Sequence, residues 1–489
     1  VIDAKANASG LAALEARLQQ DLAWLELPAK SWVPPKSVDG KPVLDVAIIG
    51  GGQAGMAAAV SLQHLGINAL IYDQSPAGFE GPWATTARME TLRSPKKLTG
   101  PALGFAALTF RAWFEAQFGL DAWEALDKIP RLQWMDYLRW YRKVMTLDVR
   151  NEHRVDAILP RADGVVELHI DAPSGKSVVL ARRVVLATGR DGLGGALVPP
   201  LAQDLPRTLW AHSSDDMDYR KLAGKRVGVI GAGSSAMDSA ATALESGAER
   251  VDLLIRRTEL PRINKGKGSG NPGLTSAHLN LPDEWKWRIR HYVNVQQIPP
   301  PSGSVQRVAK FANARFIFGA PIDQVDVSGD SLRVRTPRGV FDLDFLIFST
   351  GFRVDWSARP EFAAIAPHIR SWRTRYMPPV GDEDQELSDS PDLGTAFEFQ
   401  QKHPGGLPGL ERIHCFCYPA TITHGTLSGD IPAISDGAQR LAQGIASLLY
   451  GEDIQTHYKN LQAYAEPELI GDEWTPSEPT AEERERLKR

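Results

Sequence analysis

Gly50, Gly52 and Gly55 stand in G-x-G-x-x-G spacing inside VAIIGGGQAGMAAAVSL, and Gly231, Gly233 and Ala236 repeat the pattern as G-x-G-x-x-A inside VGVIGAGSSAMDSAATAL. A turn of this kind, between an apolar strand and a helix of small residues, binds a pyrophosphate. The first glycine lets the chain turn tightly, the second admits backbone amides to the phosphates, and the third small residue lets the helix lie close to its strand. Gln53 and Ala54 open the first helix, and Ser234 and Ser235 open the second, so these residues belong to the same contact surfaces. The chemistry implied is the binding of two dinucleotides.

Residues downstream of each turn separate the two ligands. Asp73, followed by Gln74, closes the stretch HLGINALIYDQS at the distance where an acid meets a ribose hydroxyl, which favours an unphosphorylated adenosine ribose. The corresponding strand of the second copy, ERVDLLIRRTEL, ends on Arg256 and Arg257. Their guanidinium forks suit a 2′-phosphate and favour NADPH over NADH, although solvation at a strand end accounts for them as well. Each copy then runs through an alternating hairpin into a strand that ends in Thr-Gly: Thr188-Gly189 in VVLATGR and Thr350-Gly351 in DFLIFSTGF. The repeat therefore covers whole domains.

In these features the chain resembles the two-dinucleotide-binding-domain flavoproteins. Within them it resembles the class B flavoprotein monooxygenase group of flavin-containing, Baeyer–Villiger and N-hydroxylating enzymes, over about Asp45 to Leu449. Glu80-Gly81-Pro82-Trp83 is similar to the family's G-G-x-W segment, and His212-Ser213-Ser214 to the His-Ser of its fingerprint. The resemblance implies an α/β fold of two Rossmann-like dinucleotide-binding domains, the NADPH domain inserted in the FAD domain. It implies FAD on the first glycine turn and NADPH on the second, Trp83 lining the flavin, backbone of Val155 facing the adenine, and Gly429-Asp430 at the ribityl chain. A core valine and a helix N-cap explain Val155 and Asp430 equally well. The fingerprint is degraded, because Pro206 and Thr208 stand where F-x-G is usual and Asp216 replaces an aromatic near Tyr219. The Baeyer–Villiger version is therefore not met. The implied reaction passes one oxygen atom of dioxygen to a small amine, sulfide or carbonyl compound through a peroxyflavin, at the expense of NADPH. A flavin-dependent NADPH reductase or oxidase without oxygen insertion is the alternative, and an NADPH-sensing regulatory flavoprotein is a third reading.

The elements that must position these residues follow in order. Residues 1–44 form a helical extension, whose LAALEARLQQDLAWLEL stretch is an amphipathic clasp or dimer contact; 45–192 are the first part of the FAD domain, with a tryptophan-rich helical stretch; 193–343 are the NADPH domain; 344–450 return to the FAD domain; and 451–489 are a charged tail. Residues 261–310 exceed an ordinary connection and read as a substrate lid or a dimerisation arm. A helix beginning near Ile431 aims its positive end toward the preceding loop, which in the resembled family faces the flavin. His424 in that loop is a candidate acid/base group or a structural histidine, and Arg88, Arg93 and Lys96 are candidate receivers of a substrate carboxylate or of FAD phosphates.

At 489 residues the chain is long enough for at least two domains, and a formal charge of −4 provides no basic field for nucleic acid. No apolar run approaches the roughly 20 residues that span a bilayer, and nothing reads as a secretion signal, so a cytoplasmic enzyme without membrane partners is expected. Cys415 and Cys417, spaced C-F-C, are not the C-x-x-C of a disulfide reductase and read as buried thiols. No metal-ligand spacing stands out. Expected partners are a small substrate, dioxygen and a second copy of the chain.

Overall fold

The computed structural model describes residues 8–487. The first sheet begins with β1 (Lys36–Val38), antiparallel to β2 (Lys41–Ile49). β3 (Ala69–Tyr72) and β4 (Val149–Arg150) extend it in parallel on one side. On the other side, β5 (Arg154–Pro160), β6 (Val166–Ala172) and β7 (Gly175–Leu186) form a meander whose long last strand turns parallel to β2. After β8 (Gly194–Ala196), the chain builds a second sheet from β9 (Trp210–His212), β10 (Arg226–Ile230), β11 (Arg250–Ile255) and β12 (Ala314–Phe318), and then a separate meander of β13 (Gln324–Ser328), β14 (Ser331–Thr336) and β15 (Gly339–Leu343). β16 (Phe345–Phe348) enters between β10 and β9, β17 (Phe352–Val354) pairs with β8, and β18 (Ile413–Cys415) returns to the first sheet beside β7.

The two sheets share one plan. The glycine-bearing strands β2 and β10 are central, with β3 and β4 or β11 and β12 on one flank and β7 and β18 or β16 and β9 on the other. Near-continuous apolar strands such as VAII and FLIF are buried on both faces, as parallel sheets covered by helices require. The strand Phe345–Phe348, grouped by sequence with the returning FAD domain from residue 344, belongs instead to the second sheet, in register from Val227↔Phe345 to Ile230↔Phe348. Only Asp344 separates it from β15. That carboxylate takes the Arg226 amide at 2.8 Å and the Arg226 guanidinium at 2.6 Å, so the chain passes straight from meander to sheet.

Helices cover the sheets. α1 (Ala8–Trp24) buries Leu18 and Leu22, and its Glu15 accepts the indole N–H of Trp140 at 3.0 Å, which makes it a clasp on the helical layer of the first domain. α2 (Gln53–His64) follows the first glycine turn, with Ala54 to Leu62 all buried. α3 (Phe110–Ala125) and α4 (Arg131–Val144) enclose an aromatic core of Phe110, Trp113, Trp123, Trp134 and Tyr137, with ring centroids such as Trp134–Tyr137 at 4.9 Å. α5 (Ser234–Glu245) follows the second glycine turn. Residues 447–489 form a second compact unit containing helices Ile454–Ala463 and Ala481–Arg486, the latter opened by a capping box of Thr480 and Glu483. Among the described residues no helix is long and apolar enough to cross a membrane.

Residues 261–310 are structured as α6 (Lys265–Ser269), α7 (Pro272–Ala277), α8 (Asp283–Gln296) and α9 (Ser302–Ala309). α8 is docked on the segment that precedes β18. Trp287 is fully buried 5.7 Å from the ring of Tyr376 and 6.5 Å from that of Trp372, and its indole N–H donates to the Asp382 carbonyl at 2.8 Å. Arg375 clasps Asp283 at 2.8 and 2.9 Å, and Arg440 donates to the Thr275 carbonyl at 2.9 Å. Tryptophan and arginine, read from sequence as lid or dimer-arm residues, thus join this stretch to the rest of the same chain.

Candidate functional site

The first glycine turn has no room for a side chain. Gly50 has φ of 108° and a Cβ there would lie 2.4 Å from the Ala187 carbonyl oxygen, while a Cβ on Gly55 would lie 1.9 Å from the Gly50 oxygen. The turn is held from below by the Asp73 carboxylate, which accepts the Gly51 amide at 2.6 Å and the Ser75 amide at 2.7 Å. Gly52 and Gly233, the N-caps of α2 and α5, offer no side-chain cap to their helices. The Gln53 and Ala54 amides and the Ser234 and Ser235 amides that open the two helices are left for an outside acceptor, and a dinucleotide pyrophosphate is the acceptor that such a terminus favours. The second turn repeats the fit: Gly231 has φ of 135°, its Cβ would meet the Ser349 oxygen at 2.6 Å, and Ala236 is the small third residue, fully buried.

The helical layer reaches into the first turn, where the Trp134 indole donates to Gln53 Oε1 at 3.2 Å and the Arg131 guanidinium donates to the Trp83 carbonyl. Buried Glu80 ties this segment to α4 and to the exit of β4, accepting Arg142 at 2.7 Å and Asn151 at 2.6 Å. Gln74 is exposed beside Asp73, and Val155 is buried on β5 just before a bulge. Thr188 donates to the Gly192 carbonyl at 3.2 Å, and Thr350 to that of Leu197, so each Thr-Gly exit is fastened to the connection between the two sheets. Arg256 is exposed and Arg257 is half-buried, donating to the Val295 carbonyl at 2.7 Å, so only one of the pair keeps its fork free.

Several candidates lie elsewhere. His424 is fully buried, stacked on Phe397 at 3.6 Å and hydrogen-bonded through Nε2 to the Gly394 carbonyl at 3.0 Å. Burial, with Arg440 adding to it, drives its pKa down to about 3, so it is neutral at physiological pH. The acid/base role is corrected to a structural one. Lys96 donates to the carbonyls of Trp123 and Glu124 at the C-terminal end of α3, and Arg93 to that of Pro299 at 2.6 Å. Cys415 and Cys417 are buried thiols with sulfurs 3.5 Å apart, and burial raises the Cys415 pKa. His212 has its Nδ1 2.7 Å from the Ser214 hydroxyl, and burial lowers its pKa. The helix expected from Ile431 begins as a 3-10 turn, Ile431–Ala433, and becomes α-helical at Ile434; its Ser435 hydroxyl accepts the Leu103 amide at 2.9 Å and donates to Gly100 at 2.6 Å.

One constellation escaped the sequence. Arg190 follows Thr188-Gly189 at the end of β7, and Tyr418 follows β18, so both project from the carboxyl edge of neighbouring parallel strands, where open α/β sheets bind ligands. The Arg190 guanidinium lies 3.2 Å from the Tyr418 ring centroid and 3.7 Å from Glu386. Its side chain keeps 43% of its surface accessible, yet crowding by protein atoms lowers its pKa, with Glu386 opposing and Arg290 adding. Asp430 is likewise exposed, and desolvation raises its pKa against the pull of Arg93 and Arg290. Arg290 comes from α8, one turn after the docked Trp287, and its Nε is buried without a hydrogen-bond partner.

A model of the pyridine nucleotide-disulphide oxidoreductase family matches residues 47–298. The chain belongs to this family. Within it, the chain is 39% identical over 476 residues to a FAD-dependent urate hydroxylase of Xanthomonas campestris pv. campestris, a match covering 96% of this chain and 100% of that protein. The monooxygenase resemblance read from the sequence therefore holds. Among solved structures, the ornithine hydroxylase of Pseudomonas aeruginosa matches with a TM-score of 0.63 at 14% identity, over 82% of this chain and 98% of that one. The ornithine N-hydroxylase of Kutzneria sp. 744 matches with 0.62 at 17% identity, over 83% and 99%. At these identities the likeness is one of fold, a two-domain α/β architecture.

Proposed function

We propose that this flavin monooxygenase hydroxylates urate, a planar purine that is an anion at neutral pH, using FAD, NADPH and dioxygen in the cytoplasm. The observation that carries the proposal is the full-length likeness to a urate hydroxylase at 39% identity. Urate carries no C–H bond, so the balance is a C–OH bond formed at a ring carbon of its C=C double bond, with a C=N bond formed in place of that double bond and an N–H proton lost. One dioxygen is consumed, its other oxygen atom leaves as water, and NADPH supplies two electrons. FAD bound on the first turn supplies the chemistry between NADPH and dioxygen; the protein supplies binding, orientation and exclusion of water.

The residues divide that work. Gly50, Gly52, Gln53, Ala54 and Gly55 cradle the FAD pyrophosphate, Asp73 takes the ribose hydroxyls while bracing the turn, and Arg131 fixes the Trp83 backbone beside the flavin. Gly231, Gly233, Ser234 and Ser235 receive the NADPH pyrophosphate, with Arg256 free for the 2′-phosphate. The helix N-terminus at Ile434, locked to Gly100 and Leu103 through Ser435, favours negative charge on whatever it faces. A reductase that inserts no oxygen has no support from a cysteine pair, since both thiols are buried.

The test is turnover of urate by FAD-loaded protein with NADPH under isotopic dioxygen. One labelled oxygen in the product per NADPH oxidised is the expected result. NADPH consumption that yields only hydrogen peroxide, with urate unchanged, would refute the proposal.

A further inference from the structure

The arginines beyond β7 and on α8 call for an explanation that neither dinucleotide site supplies. Arg190 reaches Glu386 on the segment whose Asp384 accepts the Asn294 side-chain amide of α8 at 2.9 Å, and Arg290 lies four residues before Asn294 on that helix, so the same segment stands beside both arginines. A salt bridge at 3.7 Å to Glu386 and the face of Tyr418 are the contacts of Arg190. The Nε of Arg290 is buried without a hydrogen-bond partner. Glu386 and Asp384 lie near enough to Arg290 to oppose its desolvation, but Asp384 is already engaged by the Asn294 amide at 2.9 Å and lies 3.6 Å from His291. A buried guanidinium Nε without an acceptor is an unmade hydrogen bond, and such groups persist where a ligand completes them.

Position supports the same reading. Arg190 and Tyr418 stand at the carboxyl edges of β7 and β18, the edge that also carries the Gly50 turn, since Gly50 abuts the Ala187 carbonyl. Arg290 is brought there by a different element. Trp287, three residues earlier on α8, is locked against Trp372 and Tyr376, and residues at i and i+3 of a helix share a face. His291 at i+4 meets Asp382 and Asp384, which fixes the rotation of the helix further. The first domain thus supplies one guanidinium and the connection 261–310 supplies the other.

We propose that Arg190 and Arg290 are the substrate-recognition pair, which binds the delocalised negative charge of a planar anionic heterocycle, Arg290 through its fork and Arg190 while stacked on Tyr418. Planar guanidinium groups make paired parallel hydrogen bonds to a planar anion, which a lysine ammonium cannot reproduce. The inference rests on the urate reading for the identity of the anion, while the geometry of the pair stands apart from it.

The experiment is equilibrium titration of FAD-loaded, oxidised protein, followed by the flavin absorbance change, with urate and with orotate as a second planar anionic heterocycle. Wild type is compared with Arg290→Gln, Arg190→Gln and the charge-keeping Arg290→Lys. FAD content and NADPH binding of each variant report folding independently. Urate dissociation constants raised on the order of 10- to 100-fold in the glutamine variants, and raised also in Arg290→Lys, with NADPH binding unchanged, are expected for loss of a charge-assisted paired contact. Wild-type affinity for urate in all three variants would overturn the pair and leave the urate reading standing. Orotate bound by wild type and lost in the variants, while urate is neither bound nor turned over, would uphold the pair and remove urate. Binding of neither anion would overturn both.

Discussion

Removing the indole of Trp287 tests whether the connection 261–310 is held to the rest of the chain as the structure shows. The side chain is fully buried against Trp372 and Tyr376 and donates to the Asp382 carbonyl at 2.8 Å. Truncating a buried tryptophan to alanine costs about 3–5 kcal/mol in packing and cavity terms. Losing the hydrogen bond adds about 1 kcal/mol. Trp287→Ala is therefore expected to weaken the docking of α8 by about 4–6 kcal/mol, and Trp287→Phe, which keeps an aromatic ring but no donor, by about 1–3 kcal/mol. A whole-chain melting curve is the wrong assay for a protein of several units, because unfolding is not two-state. Native-state hydrogen exchange resolved to α8 reads the local opening free energy directly. Faster exchange confined to residues 265–296 and the Trp372 region, graded Ala over Phe, is the expected pattern. Unchanged protection of α8 in Trp287→Ala would refute the docking.

Three further outcomes follow from the same geometry. Burial holds His278 at a pKa of about 4 and His414 and His424 at about 3, below the 6.5 of an exposed histidine. The unfolded chain takes up these protons first, so the stability they allow is complete above pH 6.5 and is lost as pH falls toward 4. Each histidine contributes a slope of about 1.4 kcal/mol per pH unit, so His424→Gln should remove about a third of the three-histidine slope in denaturant titrations from pH 7 to 4.5, and an unaltered slope would contradict the burial account. Asp73→Ala strips an acceptor from the Gly51 and Ser75 amides, and a fall of at least tenfold in FAD affinity, read from the flavin-to-protein ratio after dialysis, is expected; full retention would be the contrary result. Because Arg257 is engaged with Val295 while Arg256 is free, Arg256→Ala should weaken NADPH about tenfold and leave NADH untouched in initial-rate measurements, and equal losses would remove the 2′-phosphate assignment.

Local signals made the dinucleotide architecture legible. The spacing within the first turn is dictated by a clash within a few residues, 1.9 Å from a Gly55 Cβ to the Gly50 oxygen, so it survives in any sequence that makes this turn. The Thr-Gly strand ends and the amphipathic helix of α1 were legible as local patterns, although the contacts they make are distant ones. Interactions distant along the chain were not. Arg190 and Arg290 are a hundred positions apart, and what sets the place of Arg290 is the docking of Trp287 on Trp372 and Tyr376, which no periodicity records. His424 misled because a histidine before a flavin-facing helix looks reactive in sequence, whereas its stacking on Phe397 and its buried environment are tertiary facts. The 343/344 boundary failed because a single residue, Asp344, joins two strands that serve different sheets.

The late return of β18 has a consequence for how the protein is made. The last residues of β7, Val184 to Leu186, lie beside β2 on one side and receive their other neighbour only from Ile413–Cys415, roughly 230 residues later. At about 5–20 residues per second, the nascent first sheet waits on the order of 10–50 s with this apolar edge unpaired, while the second sheet, complete by Phe348, can close on the ribosome. Until β18 arrives, the open edge of β7 is the place where a chaperone would be needed.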